Sequence, residues 1–567
     1  MSWAVGPSGV EAGWPAGQNQ PAAATHRGGH QDTMRITSRL PLGLRAGAAV
    51  GGAAVLLSAC SSAPATKSPS APKVQNGGTL TVGIPNAPTA LDPSTEGSLV
   101  GRIIFANMCL SLYGINSQMA VVPSLASALP TVSDGGLLYT IHLRKGVKFN
   151  DGTPLTAQAV QTSLERDKTL PTSARAANLK LVSSVSVVNS LTVQLHLSAP
   201  DAPLTSILAA RSGIVMSPAA LAREGTNFFE DPVCVGPFAF KARPSLDEVI
   251  LTRSHYYFGG TPHIQTLIFQ AITDPATCYS DLLSGAINVA GPGCLAPNDY
   301  KLLTTNSSYV TSQLTSNGYE GLDINVTNGN GWLKPAAVAN NPLAAHPLLR
   351  LALALTLNRQ TINSVAYQNS NVVGCGPISP ASVFYTKLSC PATNVAEAKK
   401  LVQESGVPTP INLTLVVPTG TVNVQQGEIE ATQAKAAGFN ITVQPTEFTS
   451  ALANAQAGNY QLFDIGWSGR VDPDQNTTPF YTQGSAFDYT GQAPSSITGP
   501  LAQARATTNI ATRKALYYKA EKAMLQYNGI IYLFHLTNQI AYPKSVVGVS
   551  FTPDGLLHLG SAGLTSS

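Results

Sequence analysis

From Gly77 onward, strand-length apolar alternations and helix-length amphipathic stretches follow one another, and this interleaving is what most restricts the fold. A strand sends successive side chains to opposite faces, whereas a helix repeats every 3.6 residues, so the two kinds of element write different patterns. A chain that keeps switching between them buries its elements in α/β layers. Gly77-Gly78-Thr79-Leu80-Thr81-Val82-Gly83 reads as the first strand and Val100–Leu112 as a helix with one buried face. Leu138–Leu143 alternates like a strand and runs into Asn150-Asp151-Gly152-Thr153-Pro154, which is turn chemistry. Thr156 then suits an N-cap for a helix over Ala157–Asp167. Further strands are expected over Leu191–Leu197, Val249–Thr252 and Leu267–Ala271, and further helices over Leu348–Asn358, Val395–Ser405, Gly427–Ala437 and Ala511–Leu525. At 567 residues the chain exceeds what one hydrophobic core supports, so two or three domains are expected.

The N-terminal region follows a different logic. Arg35, Arg39 and Arg45 precede an Ala/Gly/Val/Leu stretch, Ala46 to Ala59, that is too short for the roughly 18–20 residues of a bilayer span. A basic start and a short apolar run form a secretory signal. It closes on Leu57-Ser58-Ala59-Cys60, which resembles the lipobox of bacterial lipoproteins. Small residues at Ser58 and Ala59 let a signal peptidase reach the backbone, and the Cys60 thiol is the atom that takes a diacylglyceryl group. On this reading residues 1–59, an upstream extension plus signal, are absent from the mature protein. Met34 is then a more natural start than Met1. Residues 60–75, rich in Ser, Ala, Pro and Lys, form a flexible tether, and the protein sits outside the cytoplasm on the outer face of the membrane.

Export makes the cysteines informative. Cys109, Cys234, Cys278, Cys294, Cys375 and Cys390 remain after Cys60, an even number that favours disulfides in an oxidising compartment. Six thiols allow fifteen pairings, and sequence does not choose among them. Short loops favour Cys278–Cys294 and Cys375–Cys390, which leaves Cys109 with Cys234. There is no C-x-x-C to suggest zinc or redox chemistry.

Several further blocks share one order with a known family. Tyr139–Pro154 ends in Arg144-Lys145-Gly146-Val147-Lys148-Phe149-Asn150-Asp151-Gly152-Thr153-Pro154; Pro232–Phe238 reads Pro-Val-Cys-Val-Gly-Pro-Phe; and Arg253–Pro262, Ser284–Ala290, Arg350–Arg359 and Arg513–Leu533 follow. This series resembles the family 5 extracellular solute-binding proteins, the dipeptide- and oligopeptide-binding group, from about Gly77 to the C-terminus. Cys234 and Val235 depart from the Gly-Thr usual in the second block. The resemblance implies an α/β, bilobed periplasmic-binding-protein-like fold (class II, cluster C type) with an extra domain. It places lobe I discontinuously at 76–114, 232–312 and 525–567, domain II at 115–231 and lobe III at 313–524, with the crossing segments as hinge. It also implies short peptides as ligands, ABC transporter permease subunits as partners, a monomer, and no cofactor, metal or catalytic residue.

A bound peptide needs its main chain paired, its amine neutralised and its side chains housed in roomy pockets. The segment from Gly466 through Trp467, Ser468, Gly469, Arg470 and Asp472 to Asp474 is the best local candidate. Glycines admit a ligand backbone, Trp467 offers a flat apolar wall, and Asp472 suits an ammonium group. In peptide-binding relatives an aspartate three residues after this Trp takes the amino terminus; here that place is held by Arg470. Two readings follow. Asp472 replaces the carboxylate through a shortened loop, or Arg470 faces the cleft and prefers a carboxylate or phosphate. Arg470 and Asp472 as a loop ion pair is the ordinary structural alternative. Asp92, in Leu91-Asp92-Pro93, is a weaker candidate whose simpler role is to cap its own turn. Arg144 and Asp151 read as turn-forming, and Tyr256-Tyr257-Phe258 as packing.

Competing classes find less support. Ser70-Ala71-Pro72-Lys73 matches S-x-x-K but lies in the tether, and Gly466-Trp467-Ser468-Gly469 falls one residue short of a nucleophile elbow. The net charge of +4 with scattered Lys and Arg gives no footprint for nucleic acid. The alternatives kept open are a receptor for a non-peptide solute (haem, nickel chelate, glycoside or anionic compound) and an envelope scaffold or regulator with the same fold.

Overall fold

A computed structural model describes residues 73–566 apart from Trp332, Leu333, Pro335, Ala337 and Ala339. The signal segment, Cys60 and most of the tether lie outside the described residues.

Three sheets organise these residues. The first is centred on Thr79–Ile84, which pairs in parallel with Thr266–Ala271 on one side and Val289–Ala290 on the other. Glu248–Arg253 and Phe238–Ser245 extend one edge, and Thr537–Pro543 and Tyr309–Thr315 the other. Leu80, Val82, Leu267 and Phe269 pack in one core with Ile103, Ile104 and Met108 of the helix Leu99–Met108. The second sheet runs Val372–Val373, Ile530–His535, Tyr319–Ile324, Leu462–Trp467, Ile411–Pro418, Phe439–Thr446. One of its faces packs on the helices Pro347–Thr356, Val395–Glu404 and Thr421–Lys435, and the other on an aromatic core containing Tyr319, Phe463, Trp467, Phe480 and Tyr532. The third sheet, Thr131–Ser133, Leu138–His142, Thr192–Leu197, Val182–Asn189, is covered by the helix Ala157–Thr169. That helix starts where expected, because the Thr156 hydroxyl accepts from the Ala159 amide at 3.3 Å.

The chain is thus mixed α/β and bilobed, with a smaller inserted unit. The expected lobe boundary at 525 falls inside the helix Ile510–Tyr527, and the strand after it, Ile530–His535, pairs with Tyr319–Ile324 in the second sheet. All six residues of Ile530–His535 are buried, as a strand covered on both faces requires. The return to the first sheet comes only at Thr537.

The lobes are joined by two neighbouring crossings. Tyr309–Thr315 of the first sheet leads through Ser316–Gly318 into Tyr319–Ile324 of the second, and Ile530–His535 leads back through Leu536 alone into Thr537–Pro543. The crossings are bonded to each other. The Ser316 amide donates to the Leu536 carbonyl at 2.8 Å, and the His535 Nδ1–H donates to the Gly318 carbonyl at 3.0 Å. Burial of His535 lowers its pKa to about 4, so the imidazole is neutral and holds this bond at ordinary pH.

Disulfides join Cys109 to Cys234, Cys278 to Cys294 and Cys375 to Cys390. The first closes the stem of the inserted unit. Here the two chain segments run so close that a Cβ at Gly236 would collide with the Met108 carbonyl. Its ends are 125 residues apart, against 16 and 15 for the others. Chain entropy alone makes the long loop worth about 4–5 kcal/mol and the short ones about 3 kcal/mol. We expect paired Cys→Ser replacement at Cys109 and Cys234 to lower the urea-unfolding free energy more than replacement of either local pair.

Candidate functional site

Both lobes contribute walls to a cavity of about 370 Å³ at the crossings. From the first lobe come Pro85 and Asn86 after the central strand, Gly97–Val100 at the start of the helix Leu99–Met108, and Thr537–Gln539 just past the second crossing. The second lobe contributes Tyr319, Glu320 and Asp323 just past the first crossing, Asn371, Thr419–Asn423, Ile465–Ser468 and a set of aromatic rings. No residue of the third sheet's unit lines the cavity among the described residues.

The wall combines ring surface with unsatisfied polar atoms. Trp467 meets Phe480 and Phe487 with ring centroids 4.9 and 5.1 Å apart, and Tyr319 meets Phe480 edge-on. Five buried atoms on the wall have no hydrogen-bond partner among the described residues: Tyr319 Oη, Asp323 Oδ1, Asn371 Nδ2, Thr537 Oγ1 and Asn538 Nδ2. Buried polar groups are costly unless paired, so a cluster of them on one cavity marks where a ligand supplies the partners.

The residues singled out in the sequence divide. Gly466, Trp467 and Ser468 line the cavity. Gly466 has no room for a side chain, because its Cβ would strike the Glu320 carboxylate. Trp467 is fixed by its indole N–H, which donates to Asn476 Oδ1 at 3.0 Å. Gly469, Arg470, Asp472 and Asp92 are not on the wall. Gly469, at φ +73°, packs against the backbone of Asn317 and Gly318 at the first crossing. Asp472 is taken up by Arg513 of the helix Ile510–Tyr527, whose Nη1 and Nη2 reach its two oxygens at 2.9 and 2.6 Å. It therefore pairs neither with Arg470 nor with an open cleft. The Arg470 guanidinium stacks 4.2 Å from the Trp467 ring and donates to the Gly469 carbonyl at 2.6 Å. Asp92 accepts from the Ser94 amide, the turn-capping role, and also forms a two-point ion pair with Arg166 at 2.9 and 2.6 Å. Asp151 likewise serves its turn, accepting from Thr153 and Ser217.

Two clusters of buried titratable groups, one basic and one acidic, lie behind the walls. Arg102, Arg175, Arg211 and Arg470 are all buried and sit close enough to act on one another. Burial and these like neighbours hold the Arg470 guanidinium well below its usual pKa. Three of the four reach the wall from behind: Arg102 and Arg470 donate to Ser468 Oγ and Arg211 to the Ser98 carbonyl, while Arg175 donates to the Glu96 carbonyl just off the wall. On the second lobe, Glu320, Asp323, Asp464 and Glu430 form a carboxylate group that sequence reading missed. Burial and mutual repulsion raise the pKa of Glu320, Asp323 and Glu430 well above the carboxylate range, and burial raises Asp464 to about 8. Asp464 is linked to the cavity through Gln426, which donates to it at 2.6 Å and accepts from the Tyr367 hydroxyl at 2.6 Å. The available signal was acidic residues inside a strand pattern, Tyr319-Glu320-Gly321-Leu322-Asp323-Ile324, in a chain only 11% charged. Among the described residues no group of three His, Cys, Asp or Glu is arranged to hold a metal ion, and no helix is long and apolar enough to cross a membrane.

The family model for bacterial extracellular solute-binding proteins, family 5 Middle, matches residues 120–488. The chain belongs to family 5 of the bacterial extracellular solute-binding proteins. It is 26% identical over 494 residues to the glutathione-binding protein GsiB of Pectobacterium atrosepticum, covering 84% of this chain and 92% of that one. The fold matches the oligopeptide-binding protein AppA of Bacillus subtilis, solved with a nonapeptide, at a TM-score of 0.78 and 22% identity, over 87% of this chain and 100% of that one. It matches the dipeptide-binding protein of Pseudoalteromonas sp. SM9913, solved with Met-Leu, at 0.78 and 18%, over 86% and 100%. This family 5 binding protein thus shares the architecture of ABC-importer receptors, with its cavity at the lobe crossings.

Two outcomes follow for the binding protein. Asp472→Ala leaves the Arg513 guanidinium buried without its carboxylate, so we expect a loss of about 3–5 kcal/mol in chemical denaturation. Ligand affinity of the folded fraction should be essentially unchanged. The second concerns pH. Asp464 and Glu521 are each raised to about 8 by burial, so the folded protein keeps protons that an unfolded chain gives up near pH 4. Their stabilisation is complete below the unfolded pKa and is lost as pH rises through the folded one. The melting temperature should therefore fall as pH rises from about 5 to about 8 and level off above that, and Asp464→Asn should flatten the slope.

Proposed function

We propose that the protein is the substrate-binding lipoprotein of an ABC importer, anchored outside the membrane through a lipid on Cys60. It captures short peptides in the cavity between its lobes and delivers them to the permease as a monomer, without cofactor or catalysis. The observation that carries this reading is the set of unpartnered amide and hydroxyl atoms of Asn371, Thr537 and Asn538 beside the ring wall of Trp467, Phe480 and Phe487. Amides and hydroxyls suit a peptide main chain, and the rings suit varied side chains. Contributions from both lobes let a ligand favour the closed arrangement by touching both walls at once. Relatives described as binding glutathione, a nonapeptide and Met-Leu support the same solute class.

One observation favours a second reading. The arginines behind Ser98 and Ser468 bias that wall towards a ligand carboxylate, which an anionic non-peptide compound also supplies.

Native mass spectrometry of the mature protein, purified without denaturation, tests these readings together. We expect a spread of bound masses matching peptides of a few residues, and a diacylglyceryl mass on the Cys60 peptide. A single non-peptide mass would select the second reading. An empty protein that also ignores a peptide library would select the envelope scaffold.

A further inference from the structure

Asp323 is the least explained group on the cavity wall. It faces the same side of the second sheet as Tyr319, Trp467 and Phe463, through the pairings Tyr319↔Trp467 and Asp323↔Phe463. Its side chain is 3% exposed, forms no hydrogen bond among the described residues, and still reaches the cavity. Tyrosines surround it without serving it. The Tyr460 hydroxyl is given to the Tyr489 carbonyl, and the hydroxyls of Tyr481 and Tyr532 bond to each other at 2.8 Å. The same cavity is lined by the rings of Tyr319, Trp467, Phe480, Phe487 and Tyr489. An unpartnered acidic side chain on a wall it shares with several rings is an arrangement for a cation. The rings attract positive charge through their faces, the Asp323 carboxyl, which burial keeps protonated in the empty cavity, releases its proton to solvent and neutralises the entering cation, and the apolar ring surface takes the alkyl stem.

We propose that this wall of the cavity receives a positively charged alkylammonium or guanidinium group of the ligand, with Asp323 as its counter-ion. The assignment rests on the reading of the cavity as the ligand site. It puts the recognition of positive charge on the strand Tyr319–Ile324, not on the loop after Trp467, where Asp472 is engaged by Arg513.

The cation has two sources in a peptide, a basic side chain or the terminal amine, and calorimetry separates them. The probes are Ala-Lys-Ala, Ala-norleucine-Ala and their N-acetylated forms, titrated into the full mature protein. We expect the acetylated norleucine peptide, which carries no cation, to bind weaker by on the order of tenfold or more than the tightest of the other three. Retention by the acetylated lysine peptide names the side chain as source, and retention by free Ala-norleucine-Ala names the terminus. In folded Asp323→Asn the charged and uncharged peptides should bind alike. Equal binding of all four to the wild type overturns the proposal without recourse to a variant, as does discrimination that persists in Asp323→Asn. Should no peptide bind, the peptide reading falls, and pentane-1,5-diamine against pentan-1-ol decides the pocket. Binding of the diamine alone sustains the assignment; binding of both or neither removes it.

Discussion

The paired crossings at Ser316–Gly318 and Leu536 are the constraint on which the molecule depends. Two strands of one sheet pass directly into two strands of the other, and each crossing is bonded to its neighbour through Ser316 to Leu536 and His535 to Gly318. Because a single residue separates Ile530–His535 from Thr537–Pro543, there is little slack for the sheets to slide. Rotation about the crossings is the freedom left, which is hinge motion, not shear. The same geometry places the cavity. Residues just past each crossing, Tyr319 to Asp323 on one side and Thr537 to Gln539 on the other, become its walls. Any change in the angle between lobes is felt first there.

Charge is distributed around this hinge unevenly. The acidic side chains of Glu320, Asp323, Asp464 and Glu430 belong to the second lobe, and the buried arginines converge from three different parts of the chain on Ser98 of the first lobe and Ser468 of the second. Burial leaves the acidic group protonated at ordinary pH, while the arginines are only partly paired. Arg102 has Asp554 at 2.9 Å, but Arg211 and Arg470 make no ion pair among the described residues. At ordinary pH the basic group therefore dominates the potential in the cavity, and a ligand carboxylate meets it first.

Much of the scaffold was legible in the sequence because local rules and global packing agreed. The strand at Thr79–Ile84, the Thr156 cap and the helix over Ala157–Thr169 all follow from periodicity and turn chemistry. The second lobe was less legible. Its strands Ile411–Pro418 and Phe439–Thr446 pair in parallel through the helix Thr421–Lys435, whose weak amphipathicity blurred its start by several residues. The site was half legible. Gly466, Trp467 and Ser468 stood out by residue type, and they do form wall. The fate of Asp472 was invisible, because its partner Arg513 is 41 residues away on a helix whose docking no local pattern announces. Asp323 was missed for a related reason. A carboxylate in a strand reads as the solvent side of an alternation, and only the tertiary structure reveals rings on that side instead of water.

The inserted unit has a consequence beyond its own core. It contributes nothing to the cavity wall among the described residues, yet Arg166, Arg175 and Arg211 reach out of it to Asp92, Glu96 and the carbonyls of Gly97 and Ser98. Those residues carry the chain up to the helix that begins at Leu99, part of the cavity's edge. The unit therefore works as a buttress: it sets the position of a wall it never touches from the inside. Grafting the lobes of such a receptor onto a shorter insertion would leave the ligand contacts chemically intact and mechanically unsupported. The shape of the cavity edge is thus set partly by a unit that lines none of it among the described residues.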